Sequence, residues 1–293
     1  MMSLSLDRMA LDDVGTNPQR IAEAILEQMR YGIGRVPVQQ IALALDIIEI
    51  RQEKLTNFEG ALFTQPERDC GSILVNARSG PRRRRYTIGH ELYHFLNSMH
   101  RPITQAGFQC TAKDLRTAPS KNKDRHLRQE AEANTFAIEL LAPRQRIKGF
   151  TLHEADLGHV LDIANEFDIS KEAAARRYIA LHDEILAVIF SKDSKVLYSD
   201  RGKNFPWLCL NKNDEMPVLM PHLQNSKLSE FDEVEPSDWI AKSQGAVLSA
   251  QTLYQQDGYA MTLLKLDETD EDDDPGIDDA FKRYSQFSHR DRD

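Results

Sequence analysis

His90-Glu91-Leu92-Tyr93-His94 is the stretch on which the reading of this 293-residue chain turns. An α-helix advances about 100° per residue, so two histidines four apart lie about 40° from each other and roughly 6 Å apart along the axis. Two imidazoles on one face can reach one metal ion, and Glu91, beside His90, can reach a water at that ion. On a helical wheel Ile88, Leu92, Phe95, Leu96 and Met99 gather on the opposite face, while Tyr86, His90, Glu91, His94 and Asn97 line a cleft. That segregation separates the run from a surface helix that happens to carry two histidines.

A catalytic zinc site needs a third protein ligand and an open fourth position. Glu130 is the candidate, in Arg128-Gln-Glu-Ala-Glu-Ala-Asn-Thr-Phe-Ala-Ile-Glu-Leu-Leu-Ala-Pro143. It falls within the stripe Leu127, Asn134, Ala137, Ile138 and Leu141, where a carboxylate is costly unless it is paired or binds a metal. A salt bridge to a buried arginine is the alternative. Glu132 and Glu139 fall on the other side with Thr135, and Glu132 is expected to be solvated, paired with Arg128. Asn134, one turn past Glu130, can hydrogen-bond the second nitrogen of a ligating histidine, or serve as a packing amide. His126 is a substitute ligand, a transition-state donor, or a polar residue near a helix start. His100, His153, His159, His182, His222 and His289 show no comparable partners in the sequence. The His₂Glu set favours a single Zn²⁺ over other divalent ions.

The surroundings of these motifs predict an α+β fold. Residues 18–30 read as a helix behind Asn17-Pro18, and 37–45 as a second. Residues 47–50, 60–64 and 72–76 read as strands of a small sheet. Arg82 to Arg85 follow the loop signal Gly80-Pro81 and are expected to be a solvated approach to the next helix. Helices are expected at about 86–99, 127–141, 153–166 and 170–182, the later ones a helical cap on zincin-like helices. From Ile185 short β-like runs follow: 186–190, 195–198, 207–210, 247–254 and 259–266. The expected organisation is a catalytic domain with its helical extension over 1–182, a smaller β-rich accessory or sensor domain over 183–266, and an acidic tail over 267–293. Trp207, Trp239 and Tyr259 are expected in the core of the β-rich domain.

Composition narrows the function classes. The net charge is −9, but from Asp267 onward eleven acidic and four basic residues give −7, leaving −2 for the rest. The acidity belongs to the tail, too charged to bury a core, and the body has no bulk charge with which to grip nucleic acid. Cys70, Cys110 and Cys209 are odd in number and far apart, which argues against a disulfide framework and against a Cys-x-x-Cys site. No apolar run is long enough for a membrane helix, and the first residues do not read as a secretory signal, so a cytoplasmic protein is expected.

The segment Arg82-Arg-Arg-Arg-Tyr-Thr-Ile-Gly-His-Glu-Leu-Tyr-His-Phe-Leu96, together with Glu130-Ala-Glu-Ala-Asn-Thr-Phe-Ala-Ile-Glu-Leu-Leu-Ala-Pro143, resembles the ImmA/IrrE family of bacterial and phage metallo-endopeptidases. Val36-Pro37-Val38 with Ile41-Ala42, and Gly60-Ala61-Leu62 leading to Ser72-Ile-Leu-Val-Asn76, agree with it, and the resemblance covers about residues 30–182. It implies His90, His94 and Glu130 as zinc ligands and Glu91 as catalytic base. It also implies a protein substrate, a repressor or antitoxin with a helix-turn-helix domain, cut under stress. Some members carry such a domain at their own N-terminus; here the residues before 30 leave no room for one, so a separate partner is expected. Two positions depart from the family: Tyr93 stands where a small residue is usual, and Ala142 where Met is common. An added substrate strand on 60–64 or 72–76 is the expected mode of peptide binding.

Two rivals remain at this stage. Leu157, Val160, Leu161, Ile163, Ala164 and Phe167, followed by Ile169-Ser170-Lys171-Glu172-Ala173 and Arg176-Arg177, are spaced like a helix-turn-helix, with Lys171, Arg176 and Arg177 as phosphate contacts; the alternative is a helical pair covering the protease core. The other rival is a zinc-bound interaction protein without peptidase activity.

Overall fold

The computed structural model describes residues 4–30, 32–102, 107–116, 124–217, 228–241, 243 and 245–267. The acidic tail beyond 267, with His289, and His222 lie outside the described residues. The chain forms two compact units, one of residues up to Asp183 with Asp200–Lys203, the other of Glu184–Ser199 with the residues from Asn204 onward. The α+β class and the β-rich C-terminal part are as the sequence predicts.

In the first unit, α1 (Arg8–Asp12), α2 (Pro18–Gln28) and α3 (Val38–Ala44) precede β1 (Ile47–Glu53), β2 (Gly60–Thr64) and β3 (Gly71–Asn76). Then come α4 (Pro81–Leu96), β4 (Phe108–Cys110), α5 (Arg125–Leu141), α6 (Arg144–Ile147), α7 (Leu157–Glu166) and α8 (Lys171–Leu181). The sheet order is β1-β3-β2-β4, with β1 parallel to β3 and the other pairs antiparallel. Both β2 and β3 are therefore interior strands, β3 paired along both edges and β2 on its second edge through Gly60–Leu62. Neither can take an added substrate strand, which corrects that expectation.

The four arginines open α4 rather than lead up to it. Pro81 sits at the first helical turn behind Gly80, where its missing N–H is not needed, and arginine is a good helix former. Arg82 and Arg85 both reach Asp168, which holds this polar first turn in place. Helix α4 ends at Leu96, so Met99 lies beyond it and is 70% exposed, not on the buried stripe. From Thr87 to Phe95 every residue of α4 is buried, the polar face included. The sheet covers it on one side and α5 on another. Asp124 caps α5 by accepting from the His126 backbone N–H, and α5 stops just ahead of Pro143.

Close approach of β2 to α4 depends on Gly60. A Cβ there would stand 2.3 Å from Thr87 Cγ2 and 3.1 Å from Glu91 Oε1. Gly60→Ala is expected to force the sheet off the helix and destabilise the protein by about 1–3 kcal/mol. Thermal unfolding measures this, and an unchanged midpoint would refute it.

In the second unit, β5 (Ile185–Lys192), β6 (Lys195–Arg201), β7 (Asp232–Val234), β8 (Val247–Tyr254) and β9 (Tyr259–Asp267) form one sheet in the order β6-β5-β9-β8-β7. Asp193 and Ser194 both take positive φ, the two-residue turn that suits a right-twisted hairpin. Ala187, Ile189, Val196, Phe205, Trp239, Ile240, Leu248, Ala250 and Leu264 make its core. Trp239 is buried as expected, whereas Trp207 is 73% exposed and Tyr259 43% exposed, so neither serves the core. Residues 207–210 make only an isolated bridge, Leu208 to Ile240.

Candidate metal centre

Helices α4 and α5 bring three predicted residues together. His90 Nε2 lies 3.0 Å from Glu130 Oε2, His94 Nε2 lies 3.1 Å from His90 Nε2, and His94 Nε2 lies 3.5 Å from Glu130 Oε1. Donors held at 2.0–2.1 Å around a tetrahedral ion are about 3.3 Å apart, so the spacing fits. All three side chains are buried.

The partners behind these groups sharpen the fit. Asn134 Nδ2 donates to the Asp114 carbonyl (2.7 Å), which orients its Oδ1 toward His90 Nδ1 at 2.9 Å. Tyr86 also donates its hydroxyl to that oxygen. An amide oxygen only accepts, so Nδ1 of His90 carries the proton and Nε2 presents a lone pair toward Glu130. Lone pairs and a carboxylate facing one another out of water repel unless a cation lies between them. Burial pushes His90 toward neutrality, the state in which Nε2 is bare; without an ion, a second proton on Nε2 shared with Glu130 lifts its pKa above the ordinary histidine value. Burial lowers His94. Against its own burial, Glu130 is held well below the carboxylate range by the two imidazoles.

Glu91 stands beside them, fully buried, and neither of its oxygens meets a nitrogen or oxygen donor. The Cys110 thiol, a weak donor, lies within 4.8 Å of it and of His90. Burial lifts the Glu91 carboxyl to about 7, opposed by His90. Burial also pushes the Cys110 thiol well up, so it is not a nucleophile. His126 is partly exposed, with Nδ1 3.4 Å from Glu130 Oε1 and Nε2 3.5 Å from Asp114 Oδ1.

Three expectations are overturned here. Glu132 is not merely solvated: its Oε2 lies 3.0 Å from His100 Nε2. His100, credited with no partner, is buried and also lies 2.8 Å from His94, Nδ1 to Nδ1. Burial, with His94 and Arg68 nearby, pushes its pKa down to about 2, so it is neutral. Glu139, placed on the outer face, is buried and bound by Arg177 through both terminal guanidinium nitrogens. The buried arginine weighed as a partner for Glu130 thus belongs to Glu139.

Other participants were invisible in the sequence. Phe108, from the three-residue strand β4, stacks on the His94 ring at 4.9 Å. Arg68, with φ 58°, donates to the carbonyls of His94, Phe95, Asn97 and His100, closing the end of α4 and fixing the turn beyond it. A lone arginine in a loop carries no periodic signal that would have exposed this.

Residues 47–178 match the family model Peptidase_M78, described as IrrE N-terminal-like domain. This segment is an IrrE N-terminal-like domain. No curated protein gives a significant match. Among solved structures, a Mycobacterium tuberculosis transcriptional regulator superposes with a TM-score of 0.50 at 10% identity, over 87% of this chain and 89% of that one. The likeness is one of fold. In the IrrE-like domain the departure at Tyr93 has a structural use. Its ring lies 5.1 Å from Phe136, and its hydroxyl donates to the Thr16 carbonyl at 2.6 Å and accepts from Asn97 Nδ2 at 3.1 Å. The larger side chain ties α4 to the segment before α2. Among the described residues no helix is long and apolar enough to cross a membrane.

Proposed function

We propose that this protein is a zinc-dependent endopeptidase that hydrolyses a peptide bond in a regulatory protein, such as a helix-turn-helix repressor or an antitoxin. His90, His94 and Glu130 would hold one ion, and Glu91 is the general base. The observation that carries this reading is the meeting of two imidazole nitrogens and a carboxylate at 3.0–3.5 Å, with the buried Glu91 carboxylate alongside. When bound, zinc supplies a Lewis acid that lowers the pKa of water toward 7 and polarises a carbonyl. Glu91 accepts the proton of the attacking water and returns it to the leaving amine. Asn134 keeps the His90 lone pair aimed at the site. β4 is the sheet edge next to the centre, and a substrate segment is read as pairing there in extended form. The β-rich unit is read as an accessory or sensor domain.

The DNA-binding alternative relied on Lys171, Arg176 and Arg177. Arg177 is buried on Glu139 and the Ala142 carbonyl, and Arg176 pairs with Glu172. Residues 157–182 are therefore read as helical cover.

The test is to incubate the zinc-loaded protein with helix-turn-helix repressors encoded next to it and weigh the products. One discrete pair of fragments is expected, lost on chelation. A purified chain that takes up no metal would end this reading.

A further inference from the structure

A metal-binding imidazole must hold its proton on the nitrogen away from the ion, and a fixed partner decides this. For His90 that partner is the Asn134 amide. For His94 it is another imidazole. The two Nδ1 atoms of His94 and His100 are 2.8 Å apart, so one must donate and the other accept. The choice is made one step further out. Glu132 Oε2 lies 3.0 Å from His100 Nε2, and a carboxylate only accepts. His100 Nε2 therefore carries the hydrogen, and in a neutral ring that leaves Nδ1 as a lone pair. His94 has to donate from Nδ1, which bares its Nε2 toward His90 and Glu130.

We infer that Glu132 and His100 are positioning residues, a carboxylate–imidazole pair that sets the tautomer and ring orientation of His94 for the metal. The backbone supports this arrangement. Arg68 donates to the His100 carbonyl at 2.6 Å, which holds the turn that returns His100 to a ring six residues earlier. The Tyr93 ring meets His100 edge-on at 5.2 Å, and Phe108 braces the far side of His94. The imidazole of His100 is buried, whereas the Glu132 side chain is 36% exposed, so the relay runs from the ion site to the surface.

The inference rests on the metal-site reading, and the test separates the two. Zinc affinity is measured by competition with a chromophoric chelator on the full chain, and histidine ring ¹⁵N spectra are recorded on the metal-free protein. His100→Leu is expected to weaken zinc binding by about 10–100-fold. His100→Asn, whose Oδ1 stands in for Nδ1 as an acceptor, recovers most of that loss. Glu132→Gln, at a partly exposed position, gives a smaller loss and a mixture of His94 tautomers. Wild-type His94 shows a single form protonated at Nδ1. Equal affinities for wild type and His100→Leu, or equal losses for Leu and Asn, would assign His100 a packing role and overturn the inference. A His94 ring protonated at Nε2 in the wild type overturns it too. If the wild type binds no zinc, the metal reading falls, while the ring spectra still decide the tautomer.

Discussion

Glu91→Gln is expected to lower peptide cleavage by about 10²–10⁴-fold, the range contributed by a positioned general base, while one zinc ion stays bound. The amide matches the carboxylate in volume, which matters at a fully buried position beside Gly60. It cannot accept the water's proton. The metal should stay because its three donors come from elsewhere on α4 and from α5. Two measurements on one sample are required: metal content of the purified variant, and fragment formation against time. Cleavage at the wild-type rate would remove Glu91 from the mechanism. Loss of metal would make it a ligand instead.

Arg177→Met is expected to destabilise the protein by about 3–5 kcal/mol, because removing one partner of a buried ion pair strands the other. Both side chains of the pair are about 5% exposed. Arg144, half exposed and 3.3 Å from Glu139, compensates only weakly. The melting temperature should fall on the order of 10 °C for a chain of this size, and Glu139→Leu combined with Arg177→Met should recover much of it. A variant that melts with the wild type would show that the pair contributes nothing. The pair also predicts an acid dependence. Burial opposes the Glu139 charge, but Arg177 outweighs it and lowers the pKa in the folded state. A carboxyl with a depressed folded pKa contributes stability above its unfolded value, near 4.3, and loses that contribution as the pH falls through the folded value. Wild type and Arg177→Met should therefore begin to converge in stability as the pH falls below the unfolded value, and meet only once it has passed the lower folded one.

Much of the centre was legible because helical periodicity is a local property. His90 and His94 share a face by spacing alone, and Glu130 stood out as a carboxylate inside an apolar stripe. The same reasoning failed for Glu132 and Glu139. A helical wheel assumes one buried face, and α5 is covered on several sides, by α4, by α2 and by the Arg177 side chain. It failed for His100 because the chain leaves the helix at Asn97, whose ψ is 98°, so spacing no longer predicts direction. Short elements escaped as well: β4 has three residues, too few to show an alternating pattern.

By itself the sequence determined most of the longer helices and strands, and it marked the two imidazoles and the distal carboxylate, since these follow from propensity, spacing and the expense of a lone charge among apolar neighbours. Only the tertiary structure decided that β2 and β3 are interior, that Glu139 is neutralised by Arg177, and that a surface carboxylate reaches His94 through His100. Those rest on contacts between residues 20 or more positions apart, as in the β1–β3 and β2–β4 pairs, or across a break in the helix. No local rule fixes their direction; the packing of α4 between sheet and α5 does.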